Sequence, residues 1–209
     1  MSLPSEVIVV STGSANLASV LAAFERLGKP ARVSEEPDDV VGALFVVLPG
    51  VGAFGPAMAR LAARGLDRAI TQRVAQRLPL LAICLGMQLL CESSDESPGV
   101  TGLGLVSGCV RRFDGAQRVP QMGWNTVTPT ANASFLQPGA AYFANSYRLP
   151  VIPPGWCGAI SDYGGPFVSA IERGPVLGCQ FHPELSGSFG LTLIRRWLLT
   201  ARTAEGVAC

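Results

Sequence analysis

Apolar residues follow two rhythms along this chain, and the rhythm changes near residue 100. In the first half, unbroken apolar runs alternate with stretches in which apolar positions recur at helical spacing. Val7-Ile8-Val9-Val10, bounded by polar and small residues, predicts a strand over 6–10 buried on both faces. Asn16 is placed to cap a helix carrying Leu17, Val20, Leu21, Phe24 and Leu27 on one side, with Gly28 as its stop. Strands are expected over 31–34, 43–48 and 78–83, helices over 56–64 and 66–77, and the start of a helix over 85–91. Strands alternating with helices imply parallel βαβ units and a sheet covered on both sides. Beyond residue 100, short alternating runs at 104–113, 124–128, 141–146, 168–172 and 176–181 predict further strands, several of them antiparallel. An amphipathic helix over 187–201, with Leu191, Ile194, Trp197 and Leu198, closes the chain. The fold class is α/β: a central, mostly parallel sheet flanked by helices, with additional antiparallel strands in the C-terminal half. No repeat, low-complexity segment or linker interrupts it, so a single domain over 1–209 is expected.

Composition narrows the functional classes. Hydrophobic residues make up 48% of the 209 and charged residues 15%, which excludes a disordered chain. The net charge of +1 is spread without a basic block, which argues against nucleic-acid or membrane-surface binding. None of the six cysteines forms a C-x-x-C pair, so neither a metal site nor thioredoxin-type chemistry is expected, and no cofactor is called for. The N-terminus lacks the basic segment and long apolar run of a signal peptide. A reduced, cytoplasmic setting with free thiols fits this usage.

Three strings carry candidate chemistry. Cys84 follows an apolar strand and precedes a helix, so it falls on a sharp strand-to-helix turn with small neighbours Ala82 and Gly86. That turn is expected to expose the sulfur at the carboxyl end of the sheet, to favour the thiolate by the helix N-terminus, and to aim the Leu85 N–H at an oxyanion. Taken alone, the string fits a buried, inert cysteine equally well. Cys91, Cys109, Cys157, Cys179 and Cys209 have no such turn and are expected to be inert. His182 is the only histidine, and Glu184 lies two residues on. In an extended segment, which Pro183 favours for His182, the two side chains share a face, as an imidazole and its orienting carboxylate must. Leu48-Pro49-Gly50-Val51-Gly52 supplies a glycine-rich loop able to offer backbone N–H groups.

Ala-Ile-Cys-Leu-Gly-Met-Gln at 82–88, with Gln-Phe-His-Pro-Glu at 180–184, resembles the class I, triad-type glutamine amidotransferases. The narrower resemblance is to the glutaminase subunits of imidazole glycerol phosphate synthase. It rests on Pro-Gly-Val-Gly-Ala-Phe at 49–54, Gly-Leu-Gly-Leu at 102–105, Val-Pro-Gln-Met-Gly-Trp-Asn at 119–125 and Tyr-Phe-Ala-Asn-Ser-Tyr at 142–147. These strings run in family order over nearly the whole chain. The resemblance implies Cys84 as nucleophile, His182 as acid and then base, and Glu184 as its orienter. It implies Gly50, Val51, Gly52 and Leu85 around the oxyanion, and Gln88 and Glu96 on the glutamine substrate. Met122, Trp124 and Tyr142 fall where the family meets its (β/α)8-barrel cyclase partner in a heterodimer. Gln121 and Asn145 stand where the family commonly has His; amides do not titrate near neutral pH, so structural roles are expected there. Leu185 stands where the family often has Lys.

Three other readings compete. A glutaminase subunit of another synthase, for anthranilate or pyridoxal phosphate, would share the chemistry. A non-catalytic docking subunit would be expected to have lost Cys84, His182 or Glu184. A cysteine peptidase or amidase of the same fold would share the nucleophile but not the need for Gln88 and Glu96.

Overall fold

The structure, a computed structural model, describes residues 6–12, 16–115 and 117–200. The first half builds a parallel sheet from β1 (Val7–Val10), β2 (Ala31–Ser34), β3 (Phe45–Leu48) and β4 (Leu80–Ile83). The second half adds β5 (Cys91–Ser94), β6 (Val106–Arg112), β7 (Gln121–Pro129), β8 (Gly139–Asn145), β9 (Tyr147–Arg148), β10 (Cys157–Asp162), β11 (Pro166–Arg173) and β12 (Val176–Cys179). The main sheet has the order β2-β1-β3-β4-β12-β11-β10-β7-β8. Pairings from β2 through β12 are parallel, and those from β12 out to β8 are antiparallel. β5, β6 and β9 form a small separate sheet. The expected mostly parallel centre with antiparallel additions is what forms, and β12 is the strand at which the two regimes meet.

Alternation of side chains along the strands divides the core in two. Ile8, Val10, Val46, Leu48, Leu80 and Ala82 pack under α2 (Pro37–Gly42), α3 (Phe54–Ala63) and α4 (Leu66–Ala75). Val7, Val9, Phe45, Val47, Leu81 and Ile83 pack under α1 (Leu17–Arg26) and α6 (Gly187–Leu198). Asn16 caps α1 as expected, its side chain accepting the Ser19 N–H. Trp197 anchors α6, edge-on to Phe45 with its indole N–H donated to the Pro175 carbonyl. None of the described helices is long and apolar enough to cross a membrane.

Several boundaries differ from the sequence pattern for identifiable reasons. The helix expected over 56–64 begins two residues earlier, at Phe54, because distant side chains cap it: Glu96 accepts the Phe54 N–H and Ser97 the Gly55 N–H. The helix expected over 85–91 is only α5 (Leu85–Leu89), and Cys91 belongs to β5. There the carbonyls of Leu89, Leu90 and Cys91 receive N–H groups from residues 103–106 instead of continuing a helix. The strand expected from 43 starts at Phe45 because the Ala43 and Leu44 carbonyls serve Arg73. α2, β5 and β10 had no clear periodic signal. Residue 201, the end of the last predicted helix, lies outside the described residues, and so does Cys209.

Arg73 is the one fully buried cation among the described residues, and its partners are backbone oxygens. Its guanidinium donates to the carbonyls of Pro79, Val40, Ala43 and Leu44 at 2.7–2.9 Å. It ties the end of α2 to the starts of β3 and β4, the strands that deliver the glycine-rich loop and the cysteine. Burial pulls its pKa down to about 10, so it stays charged at neutral pH. Arg73→Met is expected to lower the unfolding free energy by on the order of 3 kcal/mol, because the carbonyls lose their donors. Arg73→Lys will not restore it, since one ammonium cannot match the planar fork. Denaturant unfolding checks this; an unchanged midpoint for Arg73→Met would contradict it.

Candidate active site

The cysteine turn is forced by close backbone packing. Cys84 sits between β4 and α5 at φ 53°, ψ −110°, a conformation that costs side-chain-bearing residues roughly 1–3 kcal/mol. Its N–H donates to the Cys179 carbonyl at 2.7 Å, anchoring the turn to β12. Gly86 is required: a Cβ there would lie 1.9 Å from the Leu48 carbonyl oxygen. The sulfur is less exposed than the sequence suggests, because Cys84 is only 6% accessible. The reason is β8, whose Ala144 carbonyl lies 4.0 Å from Sγ, together with Gln180, whose Nε2 lies 3.7 Å away. α5 spans a single short stretch of five residues, so its dipole is a minor contribution. The polar groups acting on the sulfur are chiefly side chains.

His182 reaches the same sulfur from β12. It is extended (φ −99°, ψ 95°), as the following proline favours, and its N–H donates to the Tyr142 carbonyl. Its Nδ1 lies 2.8 Å from Glu184 Oε1, and the ring also stands close enough to the Cys84 side chain to interact with it electrostatically. The pairing with Glu184 does not arise from an extended strand as expected. The chain folds into a 3-10 turn over Pro183–Leu185, which brings the carboxylate back beside the ring. Burial by itself lowers the imidazole pKa, but hydrogen bonds and charges from Cys84 and Glu184 outweigh it and raise the pKa above the ordinary 6.5. Sulfur, imidazole and carboxylate therefore stand in series, suited to nucleophilic acyl transfer.

The glycine-rich loop abuts the turn without offering the expected donor. Leu85 N–H is not aimed into open space: it donates to the Gly50 carbonyl at 3.3 Å. The contact is tight, since a Cβ on Gly50 would lie 2.8 Å from Leu85 Cβ. Val51 is half-buried, and Gly52 takes φ 100°, the left-handed region that suits glycine. Glu96 sits at the far end of this loop, its Oε2 on the Phe54 N–H at 2.7 Å. It is thus placed at the loop that borders the sulfur.

Gln88 is buried on α5, donating to the Tyr147 carbonyl and to Gln180 Oε1. Gln180 is a polar contact of the sulfur to which the sequence pattern assigns no role. The available signal was a lone amide in the apolar run Val176-Leu177-Gly178-Cys179-Gln180-Phe181. Gln121 and Asn145 are cross-strand partners on β7 and β8, both buried, and Asn145 Nδ2 donates to Tyr147 O. Met122 and Trp124 are 68% and 61% exposed, with Trp124 edge-on to half-buried Tyr142 at 6.3 Å between ring centroids. Leu185 is also exposed. The described cysteines are all free thiols; burial pushes Cys91 up to about 12 and Cys179 well above the usual range, which leaves both inert.

Because His182 is the sole histidine, its titration can be read without assignment. The proton resonances of its imidazole are expected to titrate with a midpoint above 6.5, and Glu184→Gln is expected to move that midpoint down. A midpoint at or below 6.5 in the parent protein would contradict the coupling of Cys84, His182 and Glu184.

The family model described as Glutamine amidotransferase class-I matches residues 13–201. The imidazole glycerol phosphate synthase subunit HisH of Symbiobacterium thermophilum is 45% identical over 195 residues, covering 91% of this chain and 92% of that protein. The HisH subunit of Deinococcus radiodurans is 43% identical, covering 90% and 91%. A crystal structure of a glutamine amidotransferase aligns with a TM-score of 0.75 at 21% identity, covering 93% of this chain and 98% of that one, which speaks to the fold. On these matches and on this fold, the chain belongs to the class I glutamine amidotransferases, in the family of the imidazole glycerol phosphate synthase HisH subunits.

Proposed function

We propose that this protein is the glutaminase subunit of an imidazole glycerol phosphate synthase, with Cys84 as its nucleophile. The observation that carries the reading is the sole imidazole, 2.8 Å from Glu184 and coupled electrostatically to the Cys84 side chain. The Cys84 thiolate attacks the carboxamide carbon of glutamine and forms a tetrahedral oxyanion. His182 gives its proton to the departing ammonia as the C–N bond breaks, leaving a glutamyl thioester. His182 then takes a proton from water, whose oxygen attacks the thioester to release glutamate. Glu184 holds the ring and stabilises imidazolium throughout.

The oxyanion needs backbone N–H donors, each worth about 3 kcal/mol in the transition state. Leu85 and the 50–52 loop are the candidates. Since the Leu85 N–H is engaged by Gly50, a rearrangement of that loop precedes fast turnover. Gln88 and Glu96 are assigned to the glutamine substrate, with Glu96 placed to feel both ligand and loop. No metal or cofactor enters these steps.

Ammonia passes to a (β/α)8-barrel cyclase subunit, which uses it to make imidazole glycerol phosphate and an aminoimidazole carboxamide ribonucleotide in histidine biosynthesis. Met122 and Trp124, exposed beside Tyr142, form the apolar patch assigned to that heterodimer contact. Subunits for anthranilate or pyridoxal phosphate synthesis are not favoured by the relatives, which carry the HisH name.

The assembled complex tests the assignment. Cys84→Ala is expected to abolish synthesis from glutamine, a loss of at least about a thousandfold, while free ammonia still supports the partner's reaction. Steady-state assays with each nitrogen source check this. Glutamine-dependent synthesis surviving in Cys84→Ala would overturn the nucleophile.

A further inference from the structure

The Cys84 sulfur has a second polar side-chain neighbour for which the acyl-transfer scheme provides no task. Gln180 comes directly after β12, is fully buried, and places Nε2 3.7 Å from Sγ. Which end of its amide faces the sulfur is decided two residues away in the network. The Tyr147 carbonyl can only accept, so it fixes the nitrogen end of Gln88, whose Nε2 lies 3.1 Å from it. The same Nε2 donates to Gln180 Oε1 at 2.9 Å. With its oxygen turned to Gln88, Gln180 has only its N–H to present to sulfur. Asn145 Nδ2 donates to the same Tyr147 carbonyl at 3.0 Å, so the oxygen that starts the relay is held from β8 as well.

We propose that Gln180 is a positioning residue for Cys84, an N–H donor directed at the sulfur, and that Gln88 sets its polarity through the Tyr147 carbonyl. The proposal rests on the reading of Cys84 as nucleophile. A thiolate accepts such a bond more strongly than a thiol, so the relay favours the attacking form before glutamine arrives. Gln88 then acts on the sulfur even when no glutamine is bound, in addition to its assignment to the substrate.

Alkylation by iodoacetamide, which does not require the glutamine site, tests this. The rate at Cys84 is measured at neutral pH by peptide mapping in the full chain, for the parent, Gln180→Met, Gln180→Glu and Gln88→Met. Methionine keeps the volume of Gln180, and glutamate keeps its shape and its acceptor for Gln88; neither offers the N–H. A role limited to filling space predicts a parental rate for Gln180→Met, which adds no charge beside the sulfur. The relay predicts slowing by about threefold or more in all three variants, a smaller change than the loss of thiolate because a more basic sulfur is intrinsically more nucleophilic. Smaller changes, or acceleration, in variants that melt with the parent would overturn the proposal. Gln88→Met leaves Gln180 in place and decides the matter if both Gln180 variants melt early. Early melting of all three would make the pair structural and overturn it as well. Glutamine turnover retained by Cys84→Ala in the complex would instead end the nucleophile reading, whatever the alkylation rates.

Discussion

The site depends on a close approach of two backbones at the carboxyl ends of β3 and β4. Gly86 lies against the Leu48 carbonyl, and Gly50 against Leu85, with no room for a Cβ at either glycine. This contact bends the chain sharply after Ile83 and holds Cys84 at its positive φ. It also sets the glycine-rich loop directly beside the Cys84 turn. A parallel sheet supplies the registry: β3 and β4 are neighbours, and β12, on the other side of β4, ends three residues before His182. The carboxyl ends of three adjacent strands thus deliver loop, thiol and imidazole to one place, as open α/β sheets do generally.

The same packing explains why the arrangement is poised but incomplete. Sulfur, imidazole and carboxylate are already in series, and burial around them makes each hydrogen bond count. The Leu85 N–H, however, is spent on the Gly50 carbonyl. The loop is anchored at its far end by Glu96 and Ser97, which accept the first N–H groups of α3. A glutaminase held in this state would release ammonia only slowly, which suits a subunit that serves a partner.

Much of this was legible in the sequence, and the parts that were not share a physical cause. The strands of the parallel half were readable because burial on both faces leaves unbroken runs such as Val7–Val10 and Leu80–Ile83. Cys84 and His182 were readable because a turn flanked by small residues and a lone imidazole stand out in a string. β5 and the true start of α3 were not, because they are fixed by hydrogen bonds from residues far along the chain. The 3-10 turn that brings Glu184 to His182 looks like extended backbone in the sequence: Pro183 fixes its own φ but leaves Glu184 and Leu185 free to turn. Gln180 and the direction of the Leu85 N–H lay beyond local pattern, since each depends on which oxygen a distant segment presents.

In the proposed function, Cys84, His182 and Glu184 are already assembled while the Leu85 N–H, the candidate oxyanion donor, is held by the Gly50 carbonyl. The most direct measurement is the glutamine hydrolysis rate of the isolated protein against that of its complex with the cyclase subunit loaded with its own nucleotide ligand. A slow rate alone and at least about a hundredfold increase in the loaded complex are expected, the scale of gaining one oxyanion donor. Equal rates in the two states would contradict this.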